Sequence, residues 1–266
     1  GVDISTSPLL TGSAVAPNVM FVLDDSGSMQ WEVMPDDILY AYYLFPRPSS
    51  VYGASVYDNF VPNFSDSDWV NVYLRSSTNN SVFYDPLVVY TPWAGYDGSA
   101  TTSYGNVSPT SAPYNPVRAS AGTLNLTVSQ SMYANWVSAS GWGSCSGYQW
   151  CNNIWPATFY VYKGSGSTTS TTSYVRYQLR GSRGYRKDLS TGTEVEVTSF
   201  TWGGRTRTVA QELQNFANWF SYYRSRVLAA RGGASNAFAQ MGNNYRVGFA
   251  TINGRGDSKV FYIPTT

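Results

Sequence analysis

Residues 19–29 read Val-Met-Phe-Val-Leu-Asp-Asp-Ser-Gly-Ser-Met, five apolar residues followed at once by a short polar turn. A continuous apolar run that stops at turn-forming residues is typical of a strand buried on both faces, as in a sheet covered by helices. The sequence therefore predicts that residues 19–23 form a central strand of an α/β sheet. The polar residues then lie at the carboxyl end of that strand.

The polar turn carries oxygen donors of the kind that a metal ion needs. Asp24, Ser26 and Ser28 supply one carboxylate and two hydroxyls, and Gly27 lets the backbone turn closely between them. Hard divalent cations prefer oxygen ligands, and ligand sites in open α/β sheets form at the carboxyl ends of strands. We therefore predict that these three side chains bind Mg²⁺ or Ca²⁺, with a simple strand-capping turn as the alternative. Asp25 should point to the other face and support the site rather than bind the cation.

The composition of the 266-residue chain limits its chemistry. Charged residues make up 12% of the chain, aromatic residues make up 16%, and there is no histidine. A Ser-His-Asp triad, a histidine general base and a histidine zinc site are therefore excluded. The net charge of +1 gives no bulk attraction to nucleic acid or anionic lipid. No apolar run approaches the roughly 18 residues of a membrane span, so neither a nucleic-acid partner nor a span is expected.

Two cysteines indicate the compartment. Cys145 and Cys151 are separated by five residues, a spacing that easily closes a small loop. In a chain rich in Tyr, Ser and Thr we predict a disulfide between them, and hence an oxidising compartment, with two free thiols as the alternative. The chain opens at residues 1–4 (Gly-Val-Asp-Ile), which suits a mature secreted protein after removal of a signal peptide.

Residues 30–207 have a different character, with many prolines and few long apolar periods. Alternating or β-branched stretches predict strands at Thr158–Tyr162, Val175–Arg180 and Glu194–Val197. The low-complexity stretch Gly164–Ser173 is a linker or hairpin tip. We therefore expect this region to be rich in strands and loops.

Charge and aromatic residues are unevenly distributed in the same region. Acidic residues dominate residues 30–97 and basic residues dominate residues 163–207, so the two sets are expected to pair. The aromatic residues either pack the core of a region that has few aliphatic side chains or form an interaction surface. They are Tyr40, Tyr42, Tyr43, Trp93, Tyr96, Trp136, Trp142, Tyr148, Trp150 and Trp155.

The clearest helix is predicted over Thr208–Arg231. Thr208 suits the N-cap, Glu212 lies in the first turn, and Gly232 suits the end. Apolar residues recur at steps of four and three and draw one stripe along the helix. The stripe consists of Val209, Leu213, Phe216, Phe220, Tyr223, Val227 and Ala230.

A short helix, a strand and a hairpin are predicted after this helix. The helix covers Ser235–Met241 and the first strand covers Tyr245–Ile252. Turn residues 253–257 then lead to a second strand at Lys259–Ile263. The tripeptide Arg255-Gly256-Asp257 has an integrin-binding composition, but these residue types are also those that a turn requires.

Two stretches carry a family resemblance. Residues 21–29 resemble the first strand and metal-ion-dependent adhesion site (MIDAS) of a von Willebrand factor A domain. Residues 215–231 and 245–253 resemble the N-terminal region of PilY-type type IV pilus tip adhesins, and this second likeness is the more specific.

The resemblance implies an α/β fold, a partial, doubly wound von Willebrand factor A domain. Residues 1–29 and 208–266 would form the first half of that domain, and residues 30–207 would be a large aromatic-rich, β- and loop-rich insertion. The family completes its metal site with a Thr and often an Asp from later loops, so only Asp24, Ser26 and Ser28 are assigned here.

The implied function is cell adhesion at the tip of a type IV pilus (fimbrium), together with pilus assembly or priming. The resemblance implies minor pilins and a host or abiotic surface as partners and an extracellular location at the pilus tip or cell surface. The resemblance implies that a partner carboxylate fills an open position on the bound Mg²⁺ or Ca²⁺, so adhesion rather than enzymatic catalysis is expected. Two alternatives are a secreted A-domain adhesin unrelated to pili, and an extracellular sugar-binding protein or hydrolase. For a hydrolase the best carboxylate pair is Asp66 and Asp68.

Overall fold

The computed structural model describes residues 17–34, 41–46, 60–96, 101–139, 145–241 and 246–252. Three α-helices lie in these ranges: α1 (Trp69–Leu74), α2 (Val209–Tyr222) and α3 (Arg226–Met241). The strands are β1 (Asn18–Leu23), β2 (Phe60–Pro62), β3 (Ala94–Tyr96), β4 (Thr101–Ser103), β5 (Ala112–Pro113), β6 (Thr123–Leu124), β7 (Gln130–Val137), β8 (Gly147–Ile154), β9 (Thr158–Tyr162), β10 (Tyr174–Arg180), β11 (Arg183–Asp188), β12 (Glu194–Val197), β13 (Ser199–Trp202), β14 (Arg205–Thr208) and β15 (Arg246–Thr251). No helix among the described residues is both long enough and apolar enough to cross a membrane.

The chain divides into two compact units. The first contains residues 1–26 and 237–266, and the second contains residues 27–236. These divisions differ from the boundaries after residues 29 and 207 that the sequence suggests, because α2 groups with the β-rich region. The assignment of that region as an insertion into an A domain stays a prediction.

In the first unit, β1 pairs with β15 in parallel, from Asn18 opposite Arg246 to Leu23 opposite Thr251. Phe21 packs on Phe238 and Phe249, with ring centroids 5.3 and 6.1 Å apart. The prediction of strands at both places is confirmed.

The expectation that β1 is buried on both faces is wrong for the described residues. Met20 is 58% exposed and Val22 is 55% exposed. Alternate side chains of a strand point to opposite faces, and the aromatic contacts described above lie on the face of Phe21. The apolar run therefore reflects strand propensity on the exposed face and partial burial on the other. The second strand predicted at Lys259–Ile263 lies outside the described residues.

The second unit is built from small sheets. Strands β9 to β12 form one antiparallel sheet in the order β12-β11-β10-β9, and β2, β7 and β8 form another in the order β2-β7-β8. The predicted strands at Thr158–Tyr162 and Glu194–Val197 are confirmed, and the strand predicted at Val175–Arg180 begins one residue earlier. Gly164–Ser173 connects β9 to β10 as a hairpin tip.

Helix α2 organises the core of this unit. Thr208 caps it as predicted, and its side chain and that of Gln211 form a reciprocal capping box. Phe216, Trp219 and Phe220 are fully buried. Trp219 packs edge-to-face on Phe83 at 4.8 Å, so aromatic contacts fill the core together with aliphatic side chains such as Leu44 and Leu179.

The predicted helix over residues 208–231 is two helices, which corrects that prediction. Helix α2 ends at Tyr222, and the backbone N–H of Arg226 donates to the carbonyl of Trp31 at 3.1 Å instead of continuing the helical ladder. The break turns the side chain of Arg224 into the core, where it is fully buried. The predicted short helix at residues 235–241 is the second half of α3.

Gly232 lies inside α3 and does not end a helix. A Cβ atom at this position would lie 2.6 Å from a ring carbon of Tyr223 and 2.9 Å from the indole nitrogen of Trp93. Glycine is therefore needed here for close packing, which a sequence pattern does not distinguish from helix termination.

A buried ion pair joins the helix break to the start of the second unit. Glu32 accepts a hydrogen bond from Arg224 Nε at 2.6 Å and others from the backbone N–H groups of Leu44 and Phe45 at 2.7 and 3.3 Å. Arg224 also donates to the carbonyl of Tyr114 at 2.9 Å. Both charged groups are therefore buried with several hydrogen-bond partners, which offsets the cost of removing them from water.

A second buried arginine ties α1 to the neighbouring loops. Arg75 donates to the carbonyls of Asn63, Leu44 and Pro62 at 2.8, 2.6 and 3.0 Å, and its guanidinium lies 3.7 Å from the ring centroid of Phe64. Burial lowers the pKa of Arg75 to about 9, which still leaves it charged at neutral pH.

Glu212 lies in the first turn of α2 and also makes tertiary hydrogen bonds that its position in the helix does not predict. Its carboxylate accepts from the hydroxyl of Tyr84 at 2.6 Å, from Arg207 Nε at 2.7 Å and from the indole N–H of Trp202 at 3.2 Å. It thereby connects the β13–β14 hairpin to α2 and to the loop after α1.

Among the residues that the structure describes, Asp66 shows the expected pairing of the acidic and basic regions. Asp66 accepts from Arg176 at 2.6 Å and from Lys187 at 2.9 Å. Arg180 pairs instead with Glu194, a residue of its own sheet, at 3.0 Å. The charge distribution is therefore satisfied partly across the unit and partly within one sheet.

Removing one partner of the Glu32–Arg224 pair should strongly destabilise the second unit. We expect Glu32→Gln to lower the free energy of unfolding by about 3–5 kcal/mol, because it leaves a buried arginine without its counter-charge. Urea denaturation followed by circular dichroism measures this. Arg183→Ala is the control, since Arg183 is 66% exposed and 3.7 Å from Glu196, and it should change stability little. Equal effects of the two substitutions would contradict the role assigned to the pair.

Stability should also fall in alkali. Burial raises the pKa values of Tyr84, Tyr90, Tyr114 and Tyr160, and it raises the pKa of Tyr174 to about 12. The unfolded chain loses these protons near pH 10 while the folded chain keeps them, so unfolding becomes easier above about pH 10. Urea denaturation at a series of pH values measures the slope. Tyr174→Phe should flatten it, and stability that stays constant between about pH 9 and pH 11 would contradict the prediction.

Candidate functional site

The polar turn after β1 is held by the side chain of its first residue. Asp24 is half-buried, and its Oδ1 accepts a hydrogen bond from the backbone N–H of Ser26 at 2.8 Å. Aspartate often closes a turn in this way. Gly27–Gln30 then forms a single 3-10 turn, and the carbonyl of Ser28 accepts from the N–H of Trp31 at 3.1 Å.

The donors of the turn match the chemistry of a hard cation only in part. Asp24 provides a carboxylate whose orientation is fixed by the turn, and Ser26 and Ser28 provide hydroxyls. Ser26 belongs to the first compact unit and Ser28 to the second. Among the described residues there is no group of three or more His, Cys, Asp or Glu side chains suited to hold a metal ion. A cation at this turn would therefore depend on one carboxylate and on neutral oxygens.

Asp25 is exposed, in contrast to the half-buried Asp24. Adjacent residues of an extended backbone point in opposite directions, which accounts for the difference. Its role as a supporting residue stays a prediction.

The structure joins Cys145 and Cys151 by a disulfide, with Cα atoms 5.8 Å apart. Cys151 lies on β8 and is buried against the core, while Cys145 lies just before that strand. The bridge therefore fixes the first half of β8 to the segment that leads into it.

The carboxylate pair suggested for a hydrolase is occupied by structural contacts. Asp66 accepts from Arg176, Lys187 and the hydroxyl of Tyr160. Asp68 caps α1 by accepting from the N–H of Val70 at 3.0 Å, and it also accepts from Asn63 Nδ2 at 3.0 Å. Neither carboxylate is poised in the manner of a glycosidase acid or base.

The aromatic residues of the β-rich region divide between core and surface. Tyr43, Trp93 and Trp136 are buried, and Tyr42 and Trp155 are half-buried. Tyr148 is 61% exposed and Trp150 is 65% exposed. Tyr96 lies in β3, and Tyr40 and Trp142 lie outside the described residues, as does the tripeptide of residues 255–257.

Tyr133 is an exposed aromatic residue outside the set of aromatic residues that the sequence suggests. Tyr133 lies on β7, is 48% exposed, and pairs across the strands with Trp150 at a centroid distance of 5.8 Å. The alternation of residues 131–137 between exposed and buried positions is the signal that identifies it, since Tyr133 falls between Met132 and Ala134.

Comparison with known proteins gives relatives along nearly the whole chain. Type IV pilus biogenesis factor PilY1 of Pseudomonas aeruginosa strain PAK is 26% identical over 258 residues, and that of strain UCBPP-PA14 is 30% identical over 256 residues. Each alignment covers 94% of this chain. The chain is similar to PilY1. No family model and no solved structure matches it.

The PilY1 alignments include most of the β-rich region. Since 94% of the chain is aligned, residues 30–207 are largely shared with PilY1. The chain spans 17% of the length of these relatives, so it corresponds to one part of PilY1.

The disulfide should contribute measurably to stability. Reduction of the wild-type chain should lower its free energy of unfolding by about 2 kcal/mol, because the bridge closes a short loop in the unfolded chain. Urea denaturation with and without a reductant measures the difference. The variant Cys145→Ser/Cys151→Ser should be insensitive to reductant and serves as the control. A wild-type protein that unfolds identically in both conditions would contradict the prediction.

Proposed function

We propose that this chain is part of a PilY1-like type IV pilus biogenesis factor and acts there as a pilus-tip adhesin and assembly module. The observation that carries the proposal is the similarity to PilY1 over 94% of the chain. Relatives with this name support a role connected with the type IV pilus and a surface-related location. The tip position, an extracellular location and the partners, minor pilins and a surface ligand, belong to the proposal.

The proposed fold of the first unit is a partial von Willebrand factor A domain. Parallel pairing of β1 with β15 supports it, because parallel strands need a crossover connection and α3 directly precedes β15. The β-rich region would then be an insertion carried by this domain. The disulfide of the second unit supports an oxidising compartment.

In this proposal Asp24, Ser26 and Ser28 hold Mg²⁺ or Ca²⁺. The bound cation would offer a coordination position to a carboxylate of the partner, which is how a site of this type supports adhesion. The residues of this chain supply the remaining chemistry. The N–H of Ser26 donates to the Asp24 carboxylate at 2.8 Å, and Gly27 begins the 3-10 turn that contains Ser28.

The hydrolase and the pilus-independent adhesin lack a specific observation in their favour. A hydrolase needs carboxylates poised for proton transfer, and Asp66 and Asp68 are held by ion pairs and by a helix cap. A secreted A-domain adhesin without a connection to pili does not account for PilY1 relatives along nearly the whole chain.

Cation binding is tested with substitutions that separate charge from turn geometry. Asp24→Asn keeps an oxygen that accepts from the N–H of Ser26 but removes the negative charge, whereas Asp24→Ala removes both. We expect Mg²⁺ or Ca²⁺, at about 100 times its dissociation constant, to stabilise the wild-type chain by about 2.7 kcal/mol. The Asn variant should bind at least about ten-fold more weakly. Calorimetric titration and thermal melts measure both effects.

The matched control for this titration is Asp85→Asn. Asp85 closes an equivalent turn, accepting from the N–H of Leu87 at 2.9 Å, but no Asp-x-Ser-x-Ser pattern follows it. It should leave cation binding unchanged. If Asp24→Asn binds the cation as the wild type does, the turn is only a strand cap and the metal proposal fails.

The pilus role is tested separately in cells that carry the substitution in their own PilY1-like protein. Asp24→Asn should lower adhesion at an unchanged amount of protein, with Asp85→Asn as the control. Electron microscopy of pili and surface-attachment counts measure the outcome. Unchanged piliation and adhesion in a strain that lacks the protein entirely would contradict the pilus proposal, independently of whether the turn binds a cation.

A further inference from the structure

The β7–β8 ribbon presents a solvent-facing row of aromatic and amide side chains. Tyr133 of β7 lies opposite Trp150 of β8, and Asn135 lies opposite Tyr148. Ser131 and Asn152 extend the same face, and the Ser131 hydroxyl donates to Asn152 Oδ1 at 2.7 Å. We call this set the aromatic–amide face; it consists of Ser131, Tyr133, Asn135, Tyr148, Trp150 and Asn152.

We propose that the aromatic–amide face binds a neutral, β-linked polysaccharide. Three of its side chains are large aromatics with 48%, 61% and 65% of their surface exposed, for Tyr133, Tyr148 and Trp150 respectively. Soluble proteins seldom leave neighbouring aromatic residues so exposed unless the patch binds something. The assignment does not depend on the proposed cation turn, because none of the six residues belongs to that turn.

The ligand class follows from the chemistry of the six side chains. The faces of tyrosine and tryptophan rings stack on the C–H-rich faces of pyranose rings. Amide and hydroxyl groups, such as those of Asn135 and Ser131, exchange hydrogen bonds with sugar hydroxyls. No residue of the aromatic–amide face is charged, which favours a neutral ligand over an anionic one.

The opposite face of the ribbon makes the aromatic–amide face rigid. Met132, Ala134 and Trp136 of β7 are buried in the core, as are Cys151 and Ile154 of β8. The indole N–H of Trp136 donates to the carbonyl of Gln149 at 2.9 Å, across the two strands. Together with the disulfide, these contacts fix the strands before a ligand arrives, which lowers the entropic cost of binding.

A bulge shapes one end of the face. The register of the two strands shifts between Gln130 and Met132, so that Asn152 and Asn153 both lie opposite Ser131. Asn153 has a φ of 59°, in the left-handed region, which asparagine tolerates better than most residues. The bulge brings the Asn152 side chain to the hydroxyl of Ser131 and places this polar pair beside the aromatic rings.

Other ligand classes fit the face less well. Single-stranded nucleic acid also stacks on aromatic rings, but such sites pair the rings with a positively charged groove. A stable protein interface buries about 800 Å² and 20–30 residues on each partner. Six side chains on a narrow ribbon fall short of that, while they suit a flat, extended chain of sugars.

The test uses the full chain with two neutral β-linked probes, hydroxyethyl cellulose in native affinity gels and insoluble chitin in a pull-down. The wild-type chain should be retarded or retained by at least one of them. Trp150→Ala and Tyr133→Ala should each weaken the association by about ten-fold or more, the effect expected of a central aromatic contact. EDTA should leave binding unchanged, because the face contains no carboxylate.

Tyr104→Ala is the matched control, since Tyr104 is 52% exposed and lies outside the aromatic–amide face. It should bind as the wild type does, and thermal melts should show that all three variants remain folded. The proposal is overturned if neither probe binds, if Trp150→Ala binds normally, or if EDTA abolishes binding. If Trp150→Ala loses binding to an immobilised pilin subunit while its polysaccharide binding stays intact, the face is a protein interface instead.

Discussion

The buried carboxylate of Glu32 connects the parts of the second unit that sequence separation keeps far apart. It accepts from Arg224 at the break between α2 and α3 and from the backbone of Leu44 and Phe45. An unpaired charge at this depth would cost several kcal/mol, so the loop at residues 41–46 and the helix break are specified together. Glu32 therefore fixes the C-terminal end of α2, while side chains within α2, such as Glu212 and Asn218, bind the loops that surround the aromatic core.

Local patterns in the sequence predict much of the fold. The strands at residues 158–162, 174–180 and 194–197 follow from alternation and β-branched residues, and the cap of α2 follows from Thr208. The break at residues 223–225 does not follow, because the apolar stripe continues across it. At the break Arg224 pairs with Glu32 and the N–H of Arg226 donates to Trp31, and no local pattern contains these tertiary contacts.

The candidate sites also differ in whether local sequence or tertiary structure defines them. The oxygen donors of Asp24, Ser26 and Ser28 are recognisable because they are adjacent in sequence. The aromatic–amide face combines side chains from two strands, and only the structure provides their register. Tyr133 belongs to the face because Trp150 lies opposite it. Gly232 is similar: its need for close packing against Trp93 and Tyr223 is a property of the assembled core.

The order of the two units along the chain has a consequence for folding. The strands that form the first unit come from opposite ends of the described chain, whereas the second unit is one continuous segment. Pairing β1 with β15 in an unfolded chain would require closing a loop of nearly the full length, and the entropic cost of closure grows with that length. Once residues 27–236 have folded, they no longer add flexible chain between β1 and β15, so the entropic cost of pairing these two strands is smaller. The continuous unit is therefore positioned to fold first and to act as an internal scaffold that lowers the barrier to assembly of the discontinuous one.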